Sequence, residues 1–373
     1  MATSEIDDPT EEGSPPAESK DRRVITQPFD FSVRTLVDSI RDRSLTVQDV
    51  YQRNFVWDKK RSSKLVESIF LNIPIPVCYF AEDDQGGQTV VDGHQRLRSI
   101  NEFYLGQLQL RGLEQIPTLN GKTFTDLQPR DQRIFLTKTI RCIVIMKESD
   151  PTIRFNVFER LNTGAVPLNA QEVRNCVYAG TLNNLLRDYV QTPQSLQAFH
   201  QSERADRMGD CELLLRFLAL DNRIDHYSPS MKTFLNNFIE SNRNPSTPEL
   251  ARFRQRLDLS LKKVSDVFGD DSFRLWTGAR FEPNINRAIF DAVTLCLVDL
   301  PNETLLRQRD EIRQRFKDLC LTTGEMSFGD AVAKATGDRA RLTRRIRLFA
   351  DQLTDLGNTI DIAARLPKMA SSG

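Results

Sequence analysis

The chain has 373 residues, which is enough for two domains with substantial cores. Hydrophobic residues make up 39% and charged residues 27% of the sequence, a composition that excludes a fibrous or wholly disordered protein. The 51 basic and 51 acidic residues leave a formal net charge of zero, which excludes a globally basic nucleic-acid-binding protein. Any contact with nucleic acid must come from a local patch.

The six cysteines are scattered singly through apolar stretches, without the close pairs of a zinc site. We therefore expect reduced thiols in a protein core, as is usual in the cytoplasm. No apolar run approaches the roughly 20 residues that a membrane-spanning helix needs, and the N-terminus lacks the apolar region of a secretion signal. These features predict a cytoplasmic protein without membrane contact.

Residues 1–23 are rich in Glu, Asp, Pro and Ser and nearly lack apolar side chains, so we expect a disordered tail. Apolar residues at helical spacing begin at Phe31, and Leu45–Val50 has the pattern of an extended segment. A helix is predicted to begin at Asp58 and to end before Pro74, because a residue that precedes proline disfavours the helical conformation.

A hairpin is predicted next, with strands at Val77–Phe80 and Gln88–Val91 around a glycine-rich turn. The second strand leads through Asp92-Gly93 into a helix with a clear apolar face. Farther along, Ile140–Met146 is predicted to be a buried strand.

Later helices have clear capping signals. One begins at Asp150-Pro151, and another opens at Asn169 with Glu172 completing a capping box. Beyond about residue 180 the strand signals fade and long helical patterns follow. We therefore predict an α+β chain with a disordered tail (1–23), a mixed domain (24–200) and a mostly helical domain (201–373). The helical patterns cover Cys211–Leu220, Ser230–Ile239, Pro248–Phe268, Ile285–Val298, Glu303–Leu319 and Asp338–Leu356.

The strand, turn and helix at Gln88–Ile100 form the strongest candidate for a binding site. The helix that follows Gly93 presents open backbone N–H groups and the positive end of its dipole, an arrangement that binds phosphate. Arg96, about one turn into the helix, can lean over the same spot as a bidentate donor. These residues leave an alternative open, a capping box in which Asp92 and Gln95 satisfy the N–H groups without a ligand.

Two further stretches carry side chains suited to a nucleotide. The helix end at 158–164 offers Glu159 or Asn162 as an oxygen ligand for Mg²⁺ and Arg160 for phosphate, although a solvated helix end explains the same residues. Tyr51–Trp57 interleaves aromatic rings with one arginine, which is typical either of base stacking or of core packing.

Two features bear on DNA. The helix that begins after Asp338 carries the densest basic patch, which predicts either contact with a nucleic acid backbone or a solvated charged face. Asp225–Pro229 has the His-x-x-Pro pattern of HNH-type nucleases, but no second metal-binding histidine follows, so nuclease chemistry is the weaker interpretation. The basic residues of the helix are Arg339, Arg341, Arg344, Arg345 and Arg347.

Several windows occur in an order that resembles one known family. Together they resemble the N-terminal domain of GmrSD-type (type IV) restriction enzymes over about residues 30–240. The windows are Gln52-Arg53-x-Phe55-x-Trp57, Leu65-Val66-Glu67-Ser68-Ile69, Ile73-Pro74-Ile75-Pro76, Asp92-Gly93-His94-Gln95-Arg96-Leu97, Phe158-Glu159-Arg160-Leu161-Asn162-Thr163-Gly164, Gln171-Glu172-x-Arg174-Asn175 and Asp210-x-Glu212-Leu213-x-Leu215-Arg216.

This resemblance implies a ParB/sulfiredoxin-like fold for the first domain. It also implies that the Asp-Gly-Gln-Gln-Arg motif belongs to a site that binds and hydrolyses NTP, in bacterial defence against modified phage DNA. His94 replaces the usual Gln of that motif, and it excludes sulfiredoxin chemistry, which needs a cysteine there. Because the HNH domain of the family is not evident, DNA cleavage would belong to a separate nuclease subunit.

We therefore expect a Mg²⁺-dependent NTP-binding protein and NTPase that acts as the sensing or regulatory component of a DNA-restriction system. A non-catalytic DNA- or partner-binding module is the alternative. The preferred base and the oligomeric state, a homo-oligomer included, stay open. The expected roles are catalytic for Asp92, Arg96 and Glu159, metal-binding for Asp92 and Asn162, and nucleotide-binding for Gly93, His94, Gln95, Arg96, Ser99, Gln52, Arg53, Arg160, Asn162 and Thr163.

Overall fold

A computed structural model describes residues 23–47, 57–83, 86–161, 169–199, 208–334 and 336–366. The described residues form an α+β fold, as the sequence predicts, with one mixed sheet in the first half and helices throughout the second. Among them, no helix combines the length and the apolarity of a membrane span.

The sheet has five strands in the order β1-β5-β3-β4-β2. The pairs β1–β5 and β3–β4 are antiparallel, whereas β3–β5 and β2–β4 are parallel. The carboxyl end of β4 therefore lies beside the amino end of β3, where Tyr79 is in register with Asp92. The strands are Thr26–Ser32 (β1), Leu45–Thr46 (β2), Cys78–Glu82 (β3), Gln88–Asp92 (β4) and Thr139–Ile145 (β5).

Helices follow and separate the strands, and short 3₁₀ turns lie at Pro117–Leu119, Phe124–Asp126, Ile224–His226 and Gly269–Asp271. The helices of the first half are Val33–Arg41 (α1), Lys59–Phe70 (α2), His94–Tyr104 (α3), Pro129–Thr137 (α4), Pro151–Leu161 (α5), Ala170–Val177 (α6), Thr181–Tyr189 (α7) and Pro193–Phe199 (α8). Those of the second half are Gly209–Arg223 (α9), Met231–Ser241 (α10), Thr247–Phe268 (α11), Arg287–Leu297 (α12), Asn302–Cys320 (α13), Phe328–Ala333 (α14), Arg339–Thr354 (α15) and Asp361–Arg365 (α16).

Local capping signals predict the starts of α2 and α6 correctly. The Asp58 side chain accepts from Arg61 N at 2.7 Å and so caps α2. Asn169 and Glu172 form the predicted capping box of α6. Such hydrogen bonds join residues only three positions apart, and for that reason the sequence alone reveals them.

Strand β1 is the main element that the sequence analysis missed. The sequence pattern placed Phe31 on a helix, but the helix begins at Val33 and Phe31 belongs to β1. Five of the seven residues of β1 are exposed, and apolar and polar residues alternate only over Phe29–Ser32, which overlaps the helical spacing that continues from Phe31. Residues 48–50 of the predicted extended segment and residues 1–22 of the predicted tail at 1–23 lie outside the described residues.

The two faces of the sheet belong to different hydrophobic cores. Val90 packs with α1–α4, whereas its neighbour Val91 packs with α5, α6 and the later helices, because successive strand residues point to opposite faces. The core of the helical half therefore extends onto the sheet and does not divide at residue 200. The predicted domain boundary between residues 200 and 201 stays a prediction.

Candidate functional site at the β4–α3 turn

Gly93 is the turning point between β4 and α3. It has φ +105°, in the left-handed region, and it occupies the N-cap position of α3. A Cβ atom placed there would lie 2.6 Å from Cys78 Sγ, which belongs to the neighbouring strand β3. Only glycine fits both this backbone conformation and this contact.

Asp92 and Gln95 do not form the capping box that the sequence allows at this turn. Among the described residues, no side chain caps α3. Asp92 Oδ2 accepts from Arg96 Nη2 at 2.6 Å, and Gln95 Oε1 accepts from the backbone N–H of Trp57 at 3.2 Å. Both side chains therefore have other partners, and the first turn of α3 carries the positive end of the helix dipole.

Arg96 is placed differently from the sequence-based expectation. Its guanidinium lies beneath the turn, 9% exposed, and donates to the carbonyl of Pro76, to Val77 O at 3.3 Å and to Asp92. The predicted position over the open N–H groups is therefore wrong for this structure. Arg96 instead ties the segment that leads into β3 to the end of β4, and thus holds the turn in place.

Ser99 and His94 occupy different environments on α3. Ser99 is buried, and its Oγ donates to Ser62 Oγ at 2.9 Å and to Gln95 O at 2.8 Å. It packs α3 against α2 in this structure, and its predicted nucleotide contact stays a prediction. His94 is the first helical residue and is half-buried beside Gly93.

Some of the other predicted nucleotide ligands lie among the described residues, and others lie outside them. Gln52, Arg53, Asn162 and Thr163 lie outside the described residues, so their predicted roles stay predictions. The flanking described residues are near the turn: Trp57 bonds to Gln95, and both α5 and α6 contact β4.

Glu159 and Arg160 lie in the last turn of α5. Glu159 forms an ion pair with Lys232 Nζ of α10 at 2.6 Å, and Arg160 is exposed. Of the carboxylates predicted to bind Mg²⁺ or to act in catalysis, Asp92 and Glu159 thus each have a cationic partner. Among the described residues, no group of three or more His, Cys, Asp and Glu side chains has a metal-binding arrangement.

A buried polar cluster around Arg174 was not predicted as a site. Arg174 of α6 is 1% exposed and donates to Asn236 Oδ1 at 2.8 Å and to Glu212 Oε2 at 2.9 Å. Burial acts to raise the pKa of Glu212, but the charges of Arg174 and Arg287 hold it below its ordinary value. The cluster joins α6 to α9 and α10. Arg174 and Glu212 stood in two separate motif windows and Asn236 in none, and nothing local in the sequence indicates their pairing.

The predicted basic surface on α15 is only partly exposed. Arg345 is 0% exposed and shares the buried Asp291 with Arg216, at 2.6 and 2.5 Å, so its guanidinium is not on the surface of this structure. Arg341 pairs with Asp330, and Arg344 Nε donates to Met326 O at 3.0 Å. Only Arg339 is exposed, while Arg347 is half-buried. The helix uses its arginines chiefly to bind its own neighbours.

Among the described residues, the fold adds no metal-binding partner to the His-x-x-Pro motif of the nuclease interpretation. His226 ends a 3₁₀ turn, is exposed, and lies 3.3 Å from its neighbour Asp225. The following helix α10 begins with the Ser230 side chain as its cap. Two separate local features therefore account for the His-x-x-Pro pattern.

Comparison with known families matches the region that carries the turn. Residues 33–179 match the family described as GmrSD restriction endonuclease, N-terminal domain. No curated protein and no solved structure matches the chain. The matched region contains β2–β5, the turn at Gly93 and the helices α1–α6. Residues 33–179 of the chain are thus similar to the N-terminal domain of GmrSD restriction endonucleases.

Proposed function

We propose that this protein is a component of a DNA-restriction system that binds a nucleoside triphosphate at the β4–α3 turn. The family match supports the role in restriction. The observation that carries the nucleotide proposal is the uncapped start of α3 after Gly93, where φ is +105°. Backbone donors and a helix dipole at such a turn favour a phosphate group.

In this proposal, different groups of the chain bind the phosphate and hold the turn in position. The N–H groups at the start of α3 bind phosphate, and Arg96 is a positioning residue that keeps the turn open through Asp92 and Pro76. Mg²⁺ would neutralise the phosphate charge and take most of its oxygen ligands from phosphate and water. Hydrolysis further requires a residue that orients water, and Glu159 fills that role only after it leaves Lys232. Cleavage of modified phage DNA is assigned to a separate nuclease subunit.

Two variants of His94 that differ in charge alone test the nucleotide proposal. An aspartate at this first helical position places a negative charge against the N–H groups, which stabilises a helix but repels phosphate. We expect His94→Asp to bind ATP and GTP analogues with Mg²⁺ at least about tenfold more weakly than His94→Asn, as measured by calorimetry. We also expect His94→Asp to be at least as stable toward urea as His94→Asn.

The control is His94→Gln, which restores the residue usual at this position in the family and should retain binding. Equal affinity of the Asp and Asn variants would contradict a phosphate site at this turn. The absence of nucleotide binding by the unmodified protein would refute the proposal altogether. The alternative of a DNA-binding module loses its main support, because most arginines of α15 are engaged with neighbours.

A further inference from the structure

A hairpin between α11 and α12 combines aromatic rings with basic side chains. Trp276 and Phe281 form an antiparallel bridge, and Thr277 N donates to Arg280 O at 3.0 Å across the turn. The rings are half-buried with centroids 5.0 Å apart, while the tip at 277–280 is exposed. The hairpin therefore presents its rings next to solvent.

Helix α13 brings cations to the same rings. Lys317 Nζ lies 4.5 Å from the centroid of Trp276 and 5.7 Å from that of Phe281, and Arg313 Cζ lies 5.6 Å from Phe281. Arg280 adds a third basic side chain at the exposed tip. Interleaved rings and cations of this kind attract both the bases and the phosphates of nucleic acid.

The charges of this surface differ from those of α15. Arg313 pairs with Asp271, but among the described residues no carboxylate lies within ion-pair distance of Lys317 or Arg280. On α15, by contrast, Arg341 and Arg345 are neutralised by aspartates. Two cations without carboxylate partners beside an accessible tryptophan favour an anionic and aromatic ligand over a protein surface of mixed charge.

We propose that the surface formed by Trp276, Arg280, Phe281 and Lys317 binds an unpaired nucleic acid strand. Lys317 and Arg280 contact phosphates, and Trp276 contacts a base. An unpaired strand fits better than a duplex because a ring can stack only on a base that is not already stacked and paired. This surface is separate from the β4–α3 turn, and the proposal does not depend on nucleotide binding there.

The two tryptophans of the chain make a direct test possible. In a Trp57→Phe background, Trp276 is the single tryptophan, so its fluorescence reports this surface alone. We expect a twelve-residue oligothymidine to quench this fluorescence saturably at about 50 mM salt, with an affinity that falls steeply as salt rises. A duplex of the same length should bind at least fivefold more weakly.

Charge reversal identifies the contacts. The double variant Lys317→Glu/Arg280→Glu should bind the strand at least tenfold more weakly. The control Arg307→Glu/Arg309→Glu makes the same change in net charge on exposed residues of α13 and should alter the affinity less than twofold. Because Lys317 also contacts the hairpin rings, Arg280→Glu alone at the exposed tip serves as a second variant, with an expected loss of at least threefold.

Three results would overturn the proposal. One is the absence of quenching by the oligonucleotide, and another is an equal loss of affinity in the control variant. The third is a duplex that binds as tightly as the single strand. Nucleotide binding by the His94 variants is measured without an oligonucleotide, so failure of one proposal is distinguishable from failure of the other.

Discussion

At the scale of single residues, the contact between Gly93 and Cys78 sets the shape of the candidate site. Gly93→Ala would bring a Cβ atom to 2.6 Å from Cys78 Sγ and would strain a backbone with φ +105°. We expect a loss of about 2–3 kcal/mol in the free energy of unfolding, which urea denaturation measures.

A double-mutant cycle with Cys78→Ala separates the two causes. Removing the sulfur relieves the closest contact but leaves the backbone strain and the 3.1 Å approach to the Cβ atom of residue 78, so Gly93→Ala should cost about 1 kcal/mol less in the Cys78→Ala background. Additive losses would mean that backbone strain alone requires glycine at this position.

At the scale of elements, strand β1 shows how an exposed edge is protected. Met146 N donates to Ile25 O, and Val33 N donates to Lys138 O. Because hydrogen-bonded residues alternate along an antiparallel strand, the odd-numbered residues of β1 direct their backbone N–H and C=O groups toward β5. Pro28 is therefore one of the residues whose backbone faces the free edge. It removes a donor there without the loss of a bond to β5.

Replacement of Pro28 tests this role. Pro28→Val restores the missing donor on an edge that also exposes Phe29, so we expect concentration-dependent self-association by sedimentation velocity. Thr26→Val adds a similar apolar side chain on the same face without a new donor and should remain unchanged. Equal behaviour of the two variants would exclude edge protection by Pro28.

At the scale of the whole molecule, the family-matched region and the helical half share one core. Ala81, Val91 and Ile145 on the sheet pack with Phe158 of α5 and with the helices beyond residue 180. Polar contacts reinforce this junction, since Arg174 bonds to Glu212 and Asn236. Within the matched region, α5 and α6 cover this face of the sheet, and their own apolar residues pack in turn against the later helices.

A fragment comprising residues 23–179 should therefore fold poorly. It would expose the apolar face that the helical half covers in the full chain, at roughly 25 cal/mol per Å² of apolar surface. We expect the fragment to bind a hydrophobic dye and to lose its near-ultraviolet circular dichroism, in contrast to the full chain. Co-expression with residues 180–373 should restore both signals, whereas a fragment that unfolds cooperatively by itself would contradict a shared core.

The sequence by itself determined the features that depend on neighbouring residues. The α+β class, the hairpin of β3 and β4, the helix starts at Asp58 and Asn169 and the turn at Gly93 all follow from local spacing and capping. The family resemblance also follows from short ordered windows, and the match at residues 33–179 confirms it.

Only the tertiary structure decided where the longer side chains go. Arg96 turns away from the open helix end because the carbonyls of Pro76 and Val77, about twenty positions earlier, lie beneath it. Arg345 is buried because Asp291, 54 positions away, meets it in the core. A guanidinium bonds to whichever acceptor the fold brings within reach, and the spacing of residues along the chain contains no information about an acceptor so distant in sequence.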